Sequence, residues 1–310
     1  MSPPLPSFLV GSKRTESTFE QIPIIDFADL DSTDAVKRRA LADKIRDACV
    51  NVGFFYLANP PASLLPPKLP EETIEQQAKR FFALPEEVKR QWDIHQSENF
   101  KGYTAMYGEK TDEKAEGGGI GMRASTWGGR RWGRGGGGGG KDGGRDAGHA
   151  AVRLGLALFP LFALALDMPE DFFEDKTTKP AAILRLLHYP NQPPTSKQNG
   201  EMGIGKHTDT CFTLLWQQTG ITCLQVQNME GRWVDAVPLA RWTNDVFKST
   251  AHRALNTYLW LQRFGNFIDV CEQAIPTCVS PESPAKYPVM KAGDYVKERL
   301  EATYAHSKDK

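Results

Sequence analysis

His207-Thr208-Asp209 is the sharpest pattern of reactive residues in this 310-residue chain. In extended backbone, residues two apart project from the same face. An imidazole and a carboxylate at this spacing can therefore converge on one metal ion. A third ligand must come from elsewhere, and His252, in Ser249-Thr250-Ala251-His252-Arg253, is the candidate. Two imidazoles and one carboxylate on one face of an octahedron leave the opposite face open, the arrangement used for dioxygen chemistry at non-haem Fe(II). A lone His-x-Asp also arises by chance as a hydrogen-bonded surface pair. The surrounding residues decide between the two.

The segment His207-Thr208-Asp209-Thr210-Cys211-Phe212-Thr213-Leu214-Leu215 closely resembles the first metal-ligand strand of the Fe(II)/2-oxoglutarate-dependent dioxygenases of the isopenicillin N synthase-like family. The resemblance continues in Leu224-Gln225-Val226, in Trp233 to Pro238 and in Thr243 to Arg253. Upstream, Ile22 to Phe27, Gly53 to Leu57 and Lys101-Gly102-Tyr103 are similar to the family's N-terminal region. Downstream, Ala292 to Tyr295 and Glu298-Arg299-Leu300 fit as well.

The resemblance implies an enzyme with Fe(II), 2-oxoglutarate as cosubstrate and dioxygen. It implies that His207, Asp209 and His252 hold the iron, and that Tyr189 lies near the cosubstrate. The implied reaction couples conversion of 2-oxoglutarate to succinate and carbon dioxide with oxidation of a small organic metabolite by hydroxylation, desaturation or ring formation. Tyr189 also reads as a core tyrosine with a satisfied hydroxyl. His188 beside it reads as a packed histidine rather than a fourth ligand.

Three features depart from the family pattern. A Gly/Arg-rich stretch stands where folded sequence is usual. The separation of His207 and His252, 45 positions, is shorter than usual by about one strand with its turn, and the gap falls near Leu239-Ala240-Arg241. The Arg-x-Ser pair that grips the distal carboxylate of 2-oxoglutarate is altered. Arg263 stands near the expected place and has the fork geometry for a carboxylate, but Gly265 replaces the serine. In a second register Thr257-Tyr258-Leu259 occupies the clamp, leaving Arg263 as a surface arginine. The shortened core and altered clamp together imply weak turnover. A catalytically impaired relative or a defective gene model is the alternative reading.

The elements that must position these residues follow from local pattern. Ile22 to Phe27 predicts a short strand. Asp31, Ser32 and Thr33 offer N-caps for a helix over about Asp34 to Val50, with Val36, Ala40, Leu41, Ile45 and Cys49 at helical spacing. Gly53 to Leu57 predicts a strand, Glu71 to Leu84 a helix, and Pro85 starts a short helix reaching Trp92. Ala147 to Asp167 predicts a long helix. Its apolar run Leu154 to Met168 contains Pro160 and is too short to span a bilayer, so a core helix is expected. Short strands follow at Ile183–Tyr189, Cys211–Trp216, Thr222–Gln227 and Arg232–Val237, then a closing helix at Tyr295–Tyr304. The expected fold class is α+β, a double-stranded β-helix (jelly roll) core with an N-terminal mixed α/β region and flanking helices. The expected division is 1–116, an insert at 117–148, and 149–310.

Lys+Arg and Asp+Glu both number 38, so the formal charge is zero, which argues against a polyanion as main partner. Glycine is unevenly spread: 16 of the 28 lie in Gly117–Gly148. Such a stretch cannot offset its chain entropy by burial and is expected to be disordered. Its six Arg and Lys against two Asp, with Trp127 and Trp132, also fit an Arg/Gly-rich nucleic-acid-binding segment, the lesser alternative for function. Five cysteines without a Cys-x-x-Cys pair or secretory signal predict reduced thiols and a cytoplasmic protein. A small-molecule substrate, and neither membrane nor nucleic acid, is the expected partner.

Overall fold

The computed structural model describes residues 18–72, 77–97, 101–109, 123–128, 143–178, 181–189, 204–208, 213–216, 224–234, 250–254, 260–267, 271–272 and 275–304. β1 (Ile24–Asp26) and β2 (Tyr56–Ala58) pair in parallel, joined by the crossover helix α1 (Ala35–Asn51). The helix begins one residue later than the expected caps allow. Asp34 is the N-cap, its Oδ1 accepting from the Val36 N–H at 2.8 Å. Leu41, Ala42, Ile45, Ala48 and Cys49 form the buried stripe. Val36 and Ala40, expected on that stripe, are exposed because the 3.6-residue repeat places them on the face opposite Ile45.

The expected helix over Glu71–Leu84 is represented by two short pieces, α2 (Leu69–Glu72) and α3 (Lys79–Phe82). α4 (Glu86–Lys89) follows Pro85 and runs into a 3-10 turn, Arg90–Trp92. β3 (Gly102–Thr104) pairs with β4 (Arg123–Gly128), and α5 (Gly143–Ala165) comes next.

The disorder expected for 117–148 does not hold for the parts described. β4 hydrogen-bonds on both sides, Thr126 standing between Gly102 of β3 and Arg185 of the next strand, and residues 143–148 are already helical. The glycine average concealed a hexapeptide, Arg-Ala-Ser-Thr-Trp-Gly, with few glycines of its own. Two neighbouring strands satisfy its backbone groups, which compensates for the absence of a large apolar side-chain set. Residues 129–142, with the six-glycine run, lie outside the described residues.

α5 contains a stretch, Ala147–Ala165, that is long and apolar enough to cross a bilayer by length and composition. That is longer than the run read from sequence. Its packing identifies it as a core helix: Leu154, Leu158, Leu161, Phe162 and Ala165 bury against Leu41, Ile45 and Cys49 of α1. Beyond its end, Arg39 and Arg46 both reach the Asp167 carboxylate, at 2.9 and 2.8 Å, and Arg38 grips Glu170. Leu158 is fully buried at this seam. Leu158→Ala is expected to lower unfolding free energy by about 2–5 kcal/mol in urea titrations. A loss below about 1 kcal/mol would mean that the α1–α5 seam is not core.

The remaining strands are β5 (Ala181–His188), β6 (Ile204–His207), β7 (Thr213–Trp216), β8 (Leu224–Gln227), β9 (Trp233–Val234), β10 (His252–Ala254) and β11 (Trp260–Phe267). They form two antiparallel sheets. One has the order β6-β10-β8-β9, the other β3-β4-β5-β11-β7. The chain passes from one sheet to the other between β5 and β6, β6 and β7, β7 and β8, and β10 and β11. A small hairpin of β12 (Cys271–Glu272) and β13 (Met290–Lys291) leads into α6 (Ala292–Tyr304). Residues 235–249, where the sequence is expected to be short of a strand, lie outside the described residues.

Candidate metal centre

β6 ends in His207 and β10 begins with His252, and the two are antiparallel register partners. Their ring centroids lie 4.1 Å apart with planes inclined at 48°. The His207 Nδ1–H donates to the Gly205 carbonyl at 2.9 Å, and the His252 Nδ1–H to the Thr250 carbonyl at 3.4 Å. A carbonyl only accepts, so Nδ1 carries a proton in both rings, and in a neutral ring the lone pair then lies on Nε2. Fixing a ligand's tautomer through its other nitrogen is the usual outer-shell device at metal sites.

Neighbours on several sides hold His252. Its backbone pairs with Val226 of β8, the Phe54 ring meets it edge-on at 6.0 Å, and the Thr250 hydroxyl donates to the Val52 carbonyl at 2.7 Å. Val52, Phe54, Val226 and Ile22 form the apolar cluster behind it. The N-terminal β1-α1-β2 unit thus buttresses this histidine. Burial depresses the His252 imidazole to about 4, against which the Thr250 carbonyl acts only weakly. The ring is therefore neutral, as a metal ligand must be, throughout the physiological range.

The sign of the resulting pH dependence follows. The folded value lies below the unfolded value of about 6.5. The stabilisation is complete above pH 6.5 and is lost as pH falls through 4. In metal-free protein, unfolding free energy is expected to decline by about 3 kcal/mol over that window from this group alone. His252→Gln is expected to flatten that part of the profile in urea titrations at stepped pH, and an unchanged slope would contradict the burial argument.

Asp209 lies outside the described residues. Among the described residues there is accordingly no cluster of three His, Cys, Asp or Glu able to hold a metal. Two adjacent imidazoles, with a carboxylate two residues along the chain from one of them, fit an Fe(II) donor set. Tyr189, directly after β5, is fully buried. His188 faces the other way and packs on the Phe82 ring at 5.3 Å, the place expected of a packed histidine. Arg263 occupies the register position opposite Arg185 of β5 and Leu215 of β7. It is thus four register positions from the level of Tyr189.

Sequence reasoning missed a second constellation. Arg185 forms a short ion pair with Glu109, and the Tyr304 hydroxyl donates to the same carboxylate at 2.9 Å. A signal was present. Arg185 is the one charge in the strand Ala181–His188, and a charge in an apolar strand must find a partner. Its partners lie 76 and 119 positions away in sequence, which no local pattern reveals.

A family profile described as "non-haem dioxygenase in morphine synthesis N-terminal" matches residues 22–120. A 2-oxoglutarate-Fe(II) type oxidoreductase of Aspergillus fumigatus is 30% identical, covering 91% of this chain and 93% of its own length. The 2-oxoglutarate-Fe(II) type oxidoreductase hxnY of Emericella nidulans is 28% identical over 92% of this chain and 91% of its own. Among solved structures, a full-length Neurospora crassa protein in complex with alpha-KG and thymine superposes with a TM-score of 0.77. It is 26% identical and covers 91% of this chain and 96% of its own. The chain belongs to the Fe(II)/2-oxoglutarate-dependent dioxygenases. It is an oxidoreductase whose cofactor and cosubstrates are Fe(II), 2-oxoglutarate and dioxygen.

Proposed function

We propose that this enzyme oxidises a small organic metabolite at carbon, with His207, Asp209 and His252 holding iron inside one end of a double-stranded β-helix. The observation that carries the reading is the His207–His252 register pair, with both Nδ1 atoms directed at backbone carbonyls. The alternation of the chain between two antiparallel sheets supports the jelly-roll winding. Thymine bound to the Neurospora crassa protein supports a small-molecule substrate.

Iron with 2-oxoglutarate and dioxygen supplies the oxidising power, and the outcome is hydroxylation, desaturation or ring formation. The chain's own residues do the rest. His207 and His252 offer Nε2 lone pairs whose direction the Gly205 and Thr250 carbonyls set. Phe54 and Val226 keep water from the buried side of His252. Tyr189 borders the cosubstrate, and Arg263 answers its distal carboxylate. The buried thiols Cys49 and Cys278 support a cytoplasmic location.

Anaerobic titration with Fe(II), with and without 2-oxoglutarate, tests the centre. A visible charge-transfer band that requires both is expected. Its absence would remove the assignment of these residues.

A further inference from the structure

The side chains of β5 divide cleanly between two faces. Leu184 and Leu186 pack with Ala78, Phe82, Tyr103 and Ala151, the helical side of the sheet. Alternation sends Arg185 and Tyr189 to the opposite face. Tyr189 lies close enough to Arg185 to act on it electrostatically. A turn built for the purpose delivers the counter-ion. The Gly108 N–H donates to the Ala105 carbonyl at 3.1 Å, and Tyr107 sits in the left-handed region at φ 62. A Cβ on Gly108 would stand 2.7 Å from Thr104 Cγ2. A strained residue followed by a position without room for a side chain carries Glu109 to where it is 3% exposed.

The Glu109 carboxylate holds Arg185 by Nη2 and accepts from the Tyr304 hydroxyl of α6. That engages Nη2 of the guanidinium. Arg185 Nε is buried and has no acceptor among the described residues, yet the side chain keeps 13% of its surface exposed. A buried donor on a charged group is costly when left without an acceptor. A polar molecule reaching it from the exposed side would remove that penalty.

We propose that Arg185 orients the organic substrate, its Nε–H edge donating to a carboxylate or carbonyl oxygen of that molecule, with Glu109 and Tyr304 as positioning residues. The inference rests on the reading that Tyr189, on the same face of β5, borders the cosubstrate. The substrate class is a small molecule bearing an acceptor oxygen. A cationic amine is disfavoured by the guanidinium, and a pure hydrocarbon would leave the donor unmet.

The test uses full-length protein loaded anaerobically with Fe(II) and 2-oxoglutarate, titrated calorimetrically with benzoate, a carboxylate, and 2-pyridone, a neutral carbonyl. At least one probe is expected to bind at millimolar concentration, and which one binds distinguishes the two oxygen sources. The paired variant Arg185→Met with Glu109→Gln leaves no lone buried charge and is expected to weaken that probe at least about tenfold. Arg185→Lys, which keeps the charge but lacks the Nε–H edge, is expected to do the same if the paired variant fails to fold. Tyr304→Phe is expected to weaken the probe a few-fold with the charge-transfer band unchanged, a shift that a merely structural role would not produce. Failure of both probes to bind wild type, or equal binding by the variants, overturns the proposal. A missing charge-transfer band in wild type instead overturns the metal-site reading, so the two failures are separable.

Discussion

His252→Ala is expected to lower 2-oxoglutarate decarboxylation at least about 100-fold and to abolish retention of Fe(II) after desalting. The basis is geometric. His252 is the register partner of His207, and its ring stands 4.1 Å from that of His207. Loss of an outer-shell partner at a metal site already costs about 10–100-fold, and loss of a directly bonded imidazole exceeds that. Two controls keep the result interpretable. Arg253, the next residue, points to the other face, where its guanidinium stacks 4.0 Å from the Trp233 ring centroid and bonds to Gln225. Arg253→Ala is expected to change turnover by less than about threefold, as a half-buried cation–π contact contributes only about 0.5–2 kcal/mol. His188→Phe removes a third histidine that packs against Phe82. It is expected to leave iron content intact. Succinate release and iron analysis on all three proteins provide the measurement. An active, iron-retaining His252→Ala protein would refute the centre.

The contrast among His252, His188 and Arg253 shows what was legible in sequence and why. His207 and His252 were picked out in sequence because a ligand set would impose residue types and local context, and because the flanking residues resemble the family pattern. That these two would be direct register partners was not legible, since pairing across 45 positions is set by the whole sheet. The long helices were read nearly in place. α1 and α5 follow from 3.6-residue periodicity, and only their ends moved. β4 was lost because composition was averaged over a glycine-rich stretch, whereas a six-residue strand needs only six suitable residues and two neighbours. Arg263 illustrates an intermediate case. Its strand was not anticipated, yet β11 runs the full length of β5 and fixes Arg263 opposite Arg185. That places two arginine positions side by side on adjacent strands.

Glu109→Ala is expected to destabilise the protein by about 3–5 kcal/mol, among the largest effects of any single substitution outside the metal centre. Burial alone would lower the Arg185 pKa, but the neighbouring Glu109, with Tyr304, outweighs it and holds the guanidinium charged. Without Glu109 that charge remains in a site it cannot leave, since Arg does not deprotonate. The Tyr304 hydroxyl, whose own pKa burial raises, loses its acceptor as well. The damage should therefore extend to the attachment of α6. Glu109→Gln keeps an acceptor for Tyr304 but not the counter-charge, so an intermediate loss of about 2 kcal/mol is expected. Adding Arg185→Met to Glu109→Gln should recover much of that loss, because removing both members of a buried pair often costs little. Wild type, Glu109→Gln, Arg185→Met and the double variant form a cycle whose non-additivity measures the pair directly. Urea unfolding followed by circular dichroism gives the energies, and proteolysis near the C-terminus reports on α6. Strict additivity would show that Arg185 and Glu109 act independently. The strained turn at Tyr107 and Gly108 would then require another cause.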